Sequence, residues 1–313
     1  MAISPYPTDP ALTGLAIAYK NDEYIADSIA PYRPVSKREF EWDDFTISEM
    51  YTVPDTEVGR LSRPNQVTFS ATRQTSSCVD YALDSPVPQD DIDNADANYD
   101  PRNHATEGVM ELIKLDREIR VASQVFSLNT YLSTQRTTLS GTSQWSDFTN
   151  SDPKTVILTA LDLCLLRPNY LVFGQAGWTI FRQNPKVVKA CRPASDNGEG
   201  VVTPQEVADM LELDGVWVGR SWKNAAKPGQ TFSQARIWGK DCAAIYVNPQ
   251  AQLQGTVTAP TFMLTARFGT PVSGALPDPN IGMKGGVNVR AGESVKEVIT
   301  SVQGAYFWSA AFA

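Results

Sequence analysis

The side chains able to do covalent or acid–base chemistry are few here and poorly placed for it. His104 is the only histidine in 313 residues. A Ser-His-Asp triad needs that histidine beside a nucleophile and an acid, and no GxSxG turn occurs. An HExxH zinc site needs two histidines on one helical face, so that class is excluded. His104, followed by Ala-Thr-Glu, reads as part of a helix entry. Cys78, Cys164, Cys191 and Cys242 form no CxxC pair and read as buried free thiols.

Carboxylates concentrate in the stretch DSPVPQDDIDNADANYD. Asp91 and Asp93 begin like a calcium loop, but position five is Ala95 and position six is Asp96, where glycine is required. The twelfth position, normally a bidentate glutamate, is Arg102. A glycosidase-type pair can be drawn from the aspartates of residues 90–100, yet with so many acids any pair is expected by chance. The stretch reads as a solvated link, with an acid-based hydrolase built on it as the enzyme alternative. The glycine-rich GMKGG at 282–286 is not a phosphate loop, because Lys284 precedes Gly285 and no strand–GxxxxGK[ST]–helix order surrounds it. A surface turn is the expectation. No catalytic, cofactor-binding or metal residue is assigned, and the chain is not expected to be an enzyme.

With 35 acids against 27 bases the net charge is −8. The densest basic piece, Lys37-Arg38, is followed at once by Glu39 and Glu41. A protein that grips nucleic-acid backbones usually carries a basic stripe, so sequence-specific binding is not expected, while an acidic wall around a nucleic acid would resist sticking to it. No apolar run approaches the ~18 residues that span a bilayer. The opening MAISPYPTDPALTG lacks the basic and apolar regions of a signal peptide, which predicts that the protein stays in the cytoplasm where it is made.

The elements that carry these residues come in an informative order. Residues 1–20, with three prolines, read as a loosely held arm. In residues 24–45 Phe40 and Trp42 alternate with Glu39, Glu41 and Asp43, the pattern of a half-buried strand. A turn-rich link at 54–66 separates this from Val67, Phe69 and Ala71, and then Val79, Tyr81 and Leu83. Strands around a polar tip make a long hairpin, which is marginal in water alone and is expected to lean on another subunit. After the acidic link, Leu112, Leu115, Ile119, Ala122 and Phe126 recur at spacings of three and four. They predict one helix over about 105–133, on the order of 40 Å long. Beyond it the pattern turns α/β. Ser151-Asp152-Pro153 caps one helix, the capping box Thr203-Pro204-Gln205-Glu206 starts another, and apolar strands follow at 216–218, 243–247 and 261–268.

This order resembles the major capsid proteins of tailed double-stranded DNA phages, the Hong Kong-type capsid fold, and the resemblance extends to Mu-like transposable phages. The residues that carry it are NDEYIADSIAPYRPVSKREFEWDDF, DTEVGRLSRPNQVTFSATRQTSSCVDYALDSPVP, the helix ATEGVMELIKLDREIRVASQVF, then TPQEVADMLELDGVWVG with AAIYVNP, and ESVKEVITSVQGAYFW. It covers most of the chain from residue 21 onward. The resemblance implies an α+β fold with an N-terminal arm (1–37), an extended E-loop hairpin (38–84) and a peripheral domain (85–150) holding the spine helix. An axial α/β domain (151–275) and a return to the peripheral domain (276–313) complete it.

The implied function is a head protein whose many copies form hexamers and pentamers of an icosahedral shell around the genome. The virion capsid is then its location, with assembly in the host cytoplasm and no membrane. Tyr24, Phe40, Trp42, Glu57, Arg60 and Arg63 are the expected assembly contacts, and Leu112, Leu115, Ile119 and Phe126 the expected packing of the spine helix. Only about twenty residues precede Asn21, so the scaffold is expected to be a separate protein, beside a portal and a maturation protease. An encapsulin-like cargo compartment is the rival within the same fold.

Overall fold

The computed structural model describes residues 6–45, 51–68, 71–96, 99–193, 198–227, 229–251 and 260–313. Its longest strand, β13 (Gly286–Ile299), organises the first of two five-stranded sheets. Strand β4 (Val79–Pro88) pairs antiparallel along one side of β13, over residues 286–295. On the other side β12 (Val272–Asp278) pairs with residues 286–292 and β11 (Met263–Phe268) with 295–299. β1 (Tyr32–Val35) adds to β11 in parallel. Alternate residues of β13, namely Val289, Ala291, Glu293, Val295 and Glu297, are buried on one face, as the period of two requires.

Two helices cover that face. Helix α1 (Pro10–Ala18) starts where Asp9 accepts a hydrogen bond from the Ala11 amide, and it buries Leu12 against Val87 and Val289. The loose arm expected for residues 1–20 is therefore corrected from residue 6 on: its prolines begin a helix rather than prevent one. The short helix α2 (Ala26–Ile29) follows. After β4 and the five-residue helix α3 (Gln89–Asp93), the long helix α4 (Pro101–Val125) begins at the N-cap Asp100. It stops at Phe126, seven residues before the expected end. Thr130 Oγ1 and Tyr131 OH donate to the carbonyls of Gln124 and Val125 (2.6 and 2.7 Å), satisfying the last turn and bending the chain away.

The buried face of α4 differs from the expected one. It consists of Thr106, Val109, Met110, Ile113, Arg117, Glu118, Val121, Ala122 and Val125. Leu112 is 54% exposed, and Leu115, Ile119 and Phe126 are half-buried. Of the expected packing residues, Leu112 is exposed and Leu115, Ile119 and Phe126 are only half-buried, on the side of the helix away from Ile113, Arg117 and Val121. Arg117 and Glu118 sit at the middle of the true stripe, and their charges make it read as the solvent side.

The second sheet has the order β5-β14-β10-β6-β7, from β5 (Arg136–Thr138), β14 (Ala305–Ser309), β10 (Cys242–Ile245), β6 (Tyr170–Gly174) and β7 (Gly215–Gly219). One face, with Leu171, Phe173, Cys242, Ala244 and Trp308, packs under α5 (Pro153–Leu163), α6 (Gln175–Phe181), α7 (Pro185–Cys191) and α8 (Pro204–Leu211). The opposite face, with Val172, Ala243, Ile245 and Phe307, meets Val121 and Val125 of α4 together with Ala26, Ile29 and Trp238. The expected caps are in place: Asp152 accepts from the Thr155 amide, and Thr203 and Glu206 form both halves of the capping box.

Strand pairing corrects the expected division of the chain: Val79–Asp84, expected in the hairpin, pair with β13 in the first sheet. Residues 305–309 join the second sheet beside β5, so the chain end does not return to the first. β5 itself belongs with that sheet, although it was expected in the 85–150 segment. Met263–Phe268 and the start of Val272–Asp278, expected in the α/β part, belong to the first sheet.

Candidate assembly surfaces

A two-stranded hairpin is rooted on the outer face of the first sheet. Strand β2 (Glu39–Phe45) pairs antiparallel with β3 (Ala71–Ser77), setting Phe40 opposite Ser76 and Trp42 opposite Gln74. Phe40 is buried against Cys78, Leu264, Ala266 and Val298, with Trp42 packed beside it. Arg38 fastens the root: Nη2 meets Asp80 Oδ2 at 2.8 Å and Nε donates to the Cys78 carbonyl at 3.1 Å. A groove along this root is lined by Arg33, Lys37, Glu39, Glu41, Thr75 and Ser77.

Beyond the root, residues 51–68 are exposed throughout. Glu57, Arg60 and Arg63 lie there as expected charges, but Val53 and Leu61 are 86% and 92% exposed beside them. The alternation around Phe40 and Trp42 announces a hairpin strand, while Val79, Tyr81 and Leu83, expected as its partner, belong to β4 of the first sheet; the apolar character of the tip is not announced by alternation. Its signal is a valine or leucine between turn formers, which no local core can bury. Phe69 falls outside the described residues.

The segment before the hairpin is held by α4 of its own chain. Tyr24 and Tyr19 each donate to the Glu111 carboxylate at 2.5 Å, and Asn21 Nδ2 donates at 3.0 Å. Burial and the neighbouring carboxylate push the Tyr19 hydroxyl up to about 12 and raise that of Tyr24 as well. Of the expected assembly contacts, Tyr24, Phe40 and Trp42 therefore have partners inside the subunit, whereas Glu57, Arg60 and Arg63 stand free of the core.

Below that segment lies a set of buried charges that sequence patterning did not find. Glu118 Oε1 accepts from Trp238 Nε1 at 2.6 Å and from the Ile25 amide at 3.2 Å, and Oε2 from the Ala26 amide at 2.9 Å. Burial pushes its carboxyl up, and these donors pull it back. Arg117 pairs with Asp27 and donates to the Ala30 carbonyl and Thr265 Oγ1 at 2.8 and 3.0 Å. Glu297 takes Arg120 at 2.8 Å, and Glu293 takes Arg267 at 2.9 Å. The guanidinium groups of Arg117 and Arg267 stack on Tyr32 at 4.0 and 3.5 Å from its ring centre. Residues 24–33 are thus clamped between α4, β11 and β13.

The acidic link is partly built into the fold. Asp90 pairs with Lys284 at 2.6 Å, and Asp100 caps α4. Among the described residues no group of three His, Cys, Asp or Glu side chains is arranged to hold a metal ion. Nor is any helix of the described residues long and apolar enough to cross a membrane. His104 lies exposed in the first turns of α4, its ring 5.8 Å from that of Tyr99. All four cysteines are free; Cys191 is half-buried and the others buried.

No family model matches the chain. Along its full length it is 47% identical to the major capsid protein of Pseudomonas phage JBD67, all of which is covered. The major capsid protein of Burkholderia phage BcepMu matches at 26% identity over 273 residues, 84% of this chain and 85% of that one. Among solved structures, a phage-related protein from Bordetella bronchiseptica RB50 superposes with a TM-score of 0.74 at 19% identity, covering 98% of each chain. A chain of the cyanophage P-SCSP1u capsid does so at 0.56 and 10%, over 99% of this chain and 90% of that one. An encapsulin from Synechococcus elongatus PCC 7942 gives 0.52 and 12%, over 99% and 96%. At such identities the superpositions speak for the fold alone. Two sheets bridged by a long helix, with a projecting hairpin, are the Hong Kong-type capsid fold. The chain belongs to the family of phage major capsid proteins.

Proposed function

We propose that the chain is the head protein of a phage, its copies joining as hexamers and pentamers of an icosahedral shell around double-stranded DNA. The observation that carries this reading is the tip at residues 51–68, where valines and leucine are presented to water on an arm that its own subunit does not cover. Buried against a neighbour, such side chains each gain on the order of 1.5–3 kcal/mol. The tip would be the E-loop, α4 the spine helix, and the helices around the second sheet the axial domain. Every subunit is then held by several neighbours at once, so weak contacts add to a stable shell. A separate scaffold, a portal and a maturation protease would act with it in the host cytoplasm, and no catalysis is assigned to this chain.

The encapsulin reading shares the fold, and the 47% identity to a capsid protein favours the phage head. Negative-stain microscopy of the expressed full chain tests the shell reading. Closed particles are expected; a monodisperse monomer at all concentrations would overturn it.

The tip and the acidic link should respond differently to substitution. Arg60→Glu with Arg63→Glu is expected to cut closed particles at least tenfold and leave subunit melting unchanged, since both side chains are exposed. An equal loss of melting temperature would put the tip inside the subunit. Replacing Asp90, Asp91 and Asp93 with asparagine costs only surface ion pairing, about 0–1 kcal/mol, and particles should form in near-normal number. Their complete absence would make the link an assembly element.

A further inference from the structure

Residues 215–240, GVWVGRSWKNAAKPGQTFSQARIWGK, carry five cations and no acid, in a chain of net charge −8. They run through the edge strand β7 into a small hairpin, β8 (Trp222–Asn224) and β9 (Gln234–Arg236), that projects from the second sheet. Lys240 meets the C-terminal Ala313 at 2.5 Å. Arg220, Lys223, Lys227 and Arg236 have no carboxylate within ion-pair distance among the described residues. Trp222 and Arg236 are directly opposite in the ladder, and the guanidinium carbon lies over the indole, 3.7 Å from the ring centre. Nη1 of Arg236 is used on the Arg220 carbonyl (2.9 Å). A cation–π contact of this kind holds the guanidinium in place, and with only Nη1 hydrogen-bonded among the described residues it leaves other N–H groups to an anion. Trp222 and Phe232 are exposed alongside.

The hairpin stands on a rigid base. Ser221 and Trp238, at its two roots, are buried and both reach Glu118. Gly219 lies so close to Trp238 that an added Cβ would sit 2.1 Å from the ring. Arg220 and Arg236 therefore stand next to a buried, hydrogen-bonded base, and Lys223 is carried on β8.

We propose that this hairpin is a docking site for the phosphate backbone of duplex DNA, read without regard to sequence. The choice of DNA rests on the shell reading above, which places a polyanion against the protein. A second copy of the chain is the rival occupant, and the polyglutamate control below separates it from DNA. Isolated lysines beside a stacked arginine and exposed aromatic rings suit a phosphate track.

The test is fluorescence anisotropy of a labelled duplex of about 30 base pairs with the soluble full-length chain, titrated at several salt concentrations. Four phosphate contacts predict a log–log salt slope of about −3.6, hence on the order of a 100-fold loss between about 50 and 200 mM salt. Arg220→Gln, Lys223→Gln and Lys227→Gln together should flatten the slope to about −0.9. If that variant melts early, Lys227→Gln alone, at an exposed position, should still remove about one unit of slope. Unchanged binding by these variants, no binding by the parent chain, or equal binding of polyglutamate would each overturn the proposal, the last in favour of an acidic protein. Particles counted on the same samples keep the shell reading separate, since that reading fails by absent shells and this one by absent binding.

Discussion

Arg117→Ala is expected to leave almost no soluble subunit. The side chain is 1% exposed, pairs with Asp27, and lies 3.9 Å from Glu297, itself 3% exposed. Its Nη2 also holds the Ala30 carbonyl and Thr265. Removing one member of such a buried set costs about 3–5 kcal/mol, because the remaining charges stay behind without compensation. A domain's whole stability is about 5–15 kcal/mol. Arg117→Lys keeps the charge but loses the planar fork and the stack on Tyr32, so an intermediate loss is expected. Soluble yield and the urea midpoint decide the matter, and an alanine variant within about 1 kcal/mol of the parent would show the clamp to be dispensable.

The second large effect separates the two faces of α4. Ile113→Ala with Val121→Ala opens cavities where the helix meets both sheets, and about 4 kcal/mol or more is expected from truncating two such buried side chains. Leu112→Ala, on the exposed face, should stay within about 0.5 kcal/mol of the parent. Denaturant unfolding of the two variants as isolated subunits gives the comparison. Equal destabilisation by Leu112→Ala would restore the face drawn from the leucine spacing.

That contrast also shows where sequence patterning worked. The existence of helix α4 was legible from the three-and-four spacing of its apolar residues, though its ends were not, and so were the strand holding Phe40 and the capping box at Thr203. Its buried face was not, because burial of Arg117 and Glu118 depends on Asp27, Tyr32, Thr265, Trp238 and Glu297, partners up to 180 residues away. Local periodicity carries no signal of distant pairing. The same limit hid the sheet boundaries: Ala305–Ser309 is apolar wherever it inserts, and only its register with Cys242–Ile245 and Arg136–Thr138 assigns the sheet. Charges at the hairpin tip were legible, since exposure there needs no partner. The acid-free run at 215–240 was equally visible in composition, yet its cations are spaced too widely to stand out as a block.

The position of the last two strands governs when this chain can fold. β13 (Gly286–Ile299) lies inside the first sheet and β14 (Ala305–Ser309) inside the second, and both follow every other described strand in chain order. Domains usually fold from the N-terminus during synthesis, at about 5–20 residues per second. Here β4, β11 and β12 have no common partner until β13 is made, and β5 and β10 lack the strand between them until β14 follows. Neither sheet closes before these two strands have been made. The ribosome therefore acts as a timer: a growing chain cannot present a finished surface to its neighbours, and a prematurely terminated one lacks the centre of both sheets and cannot enter a particle.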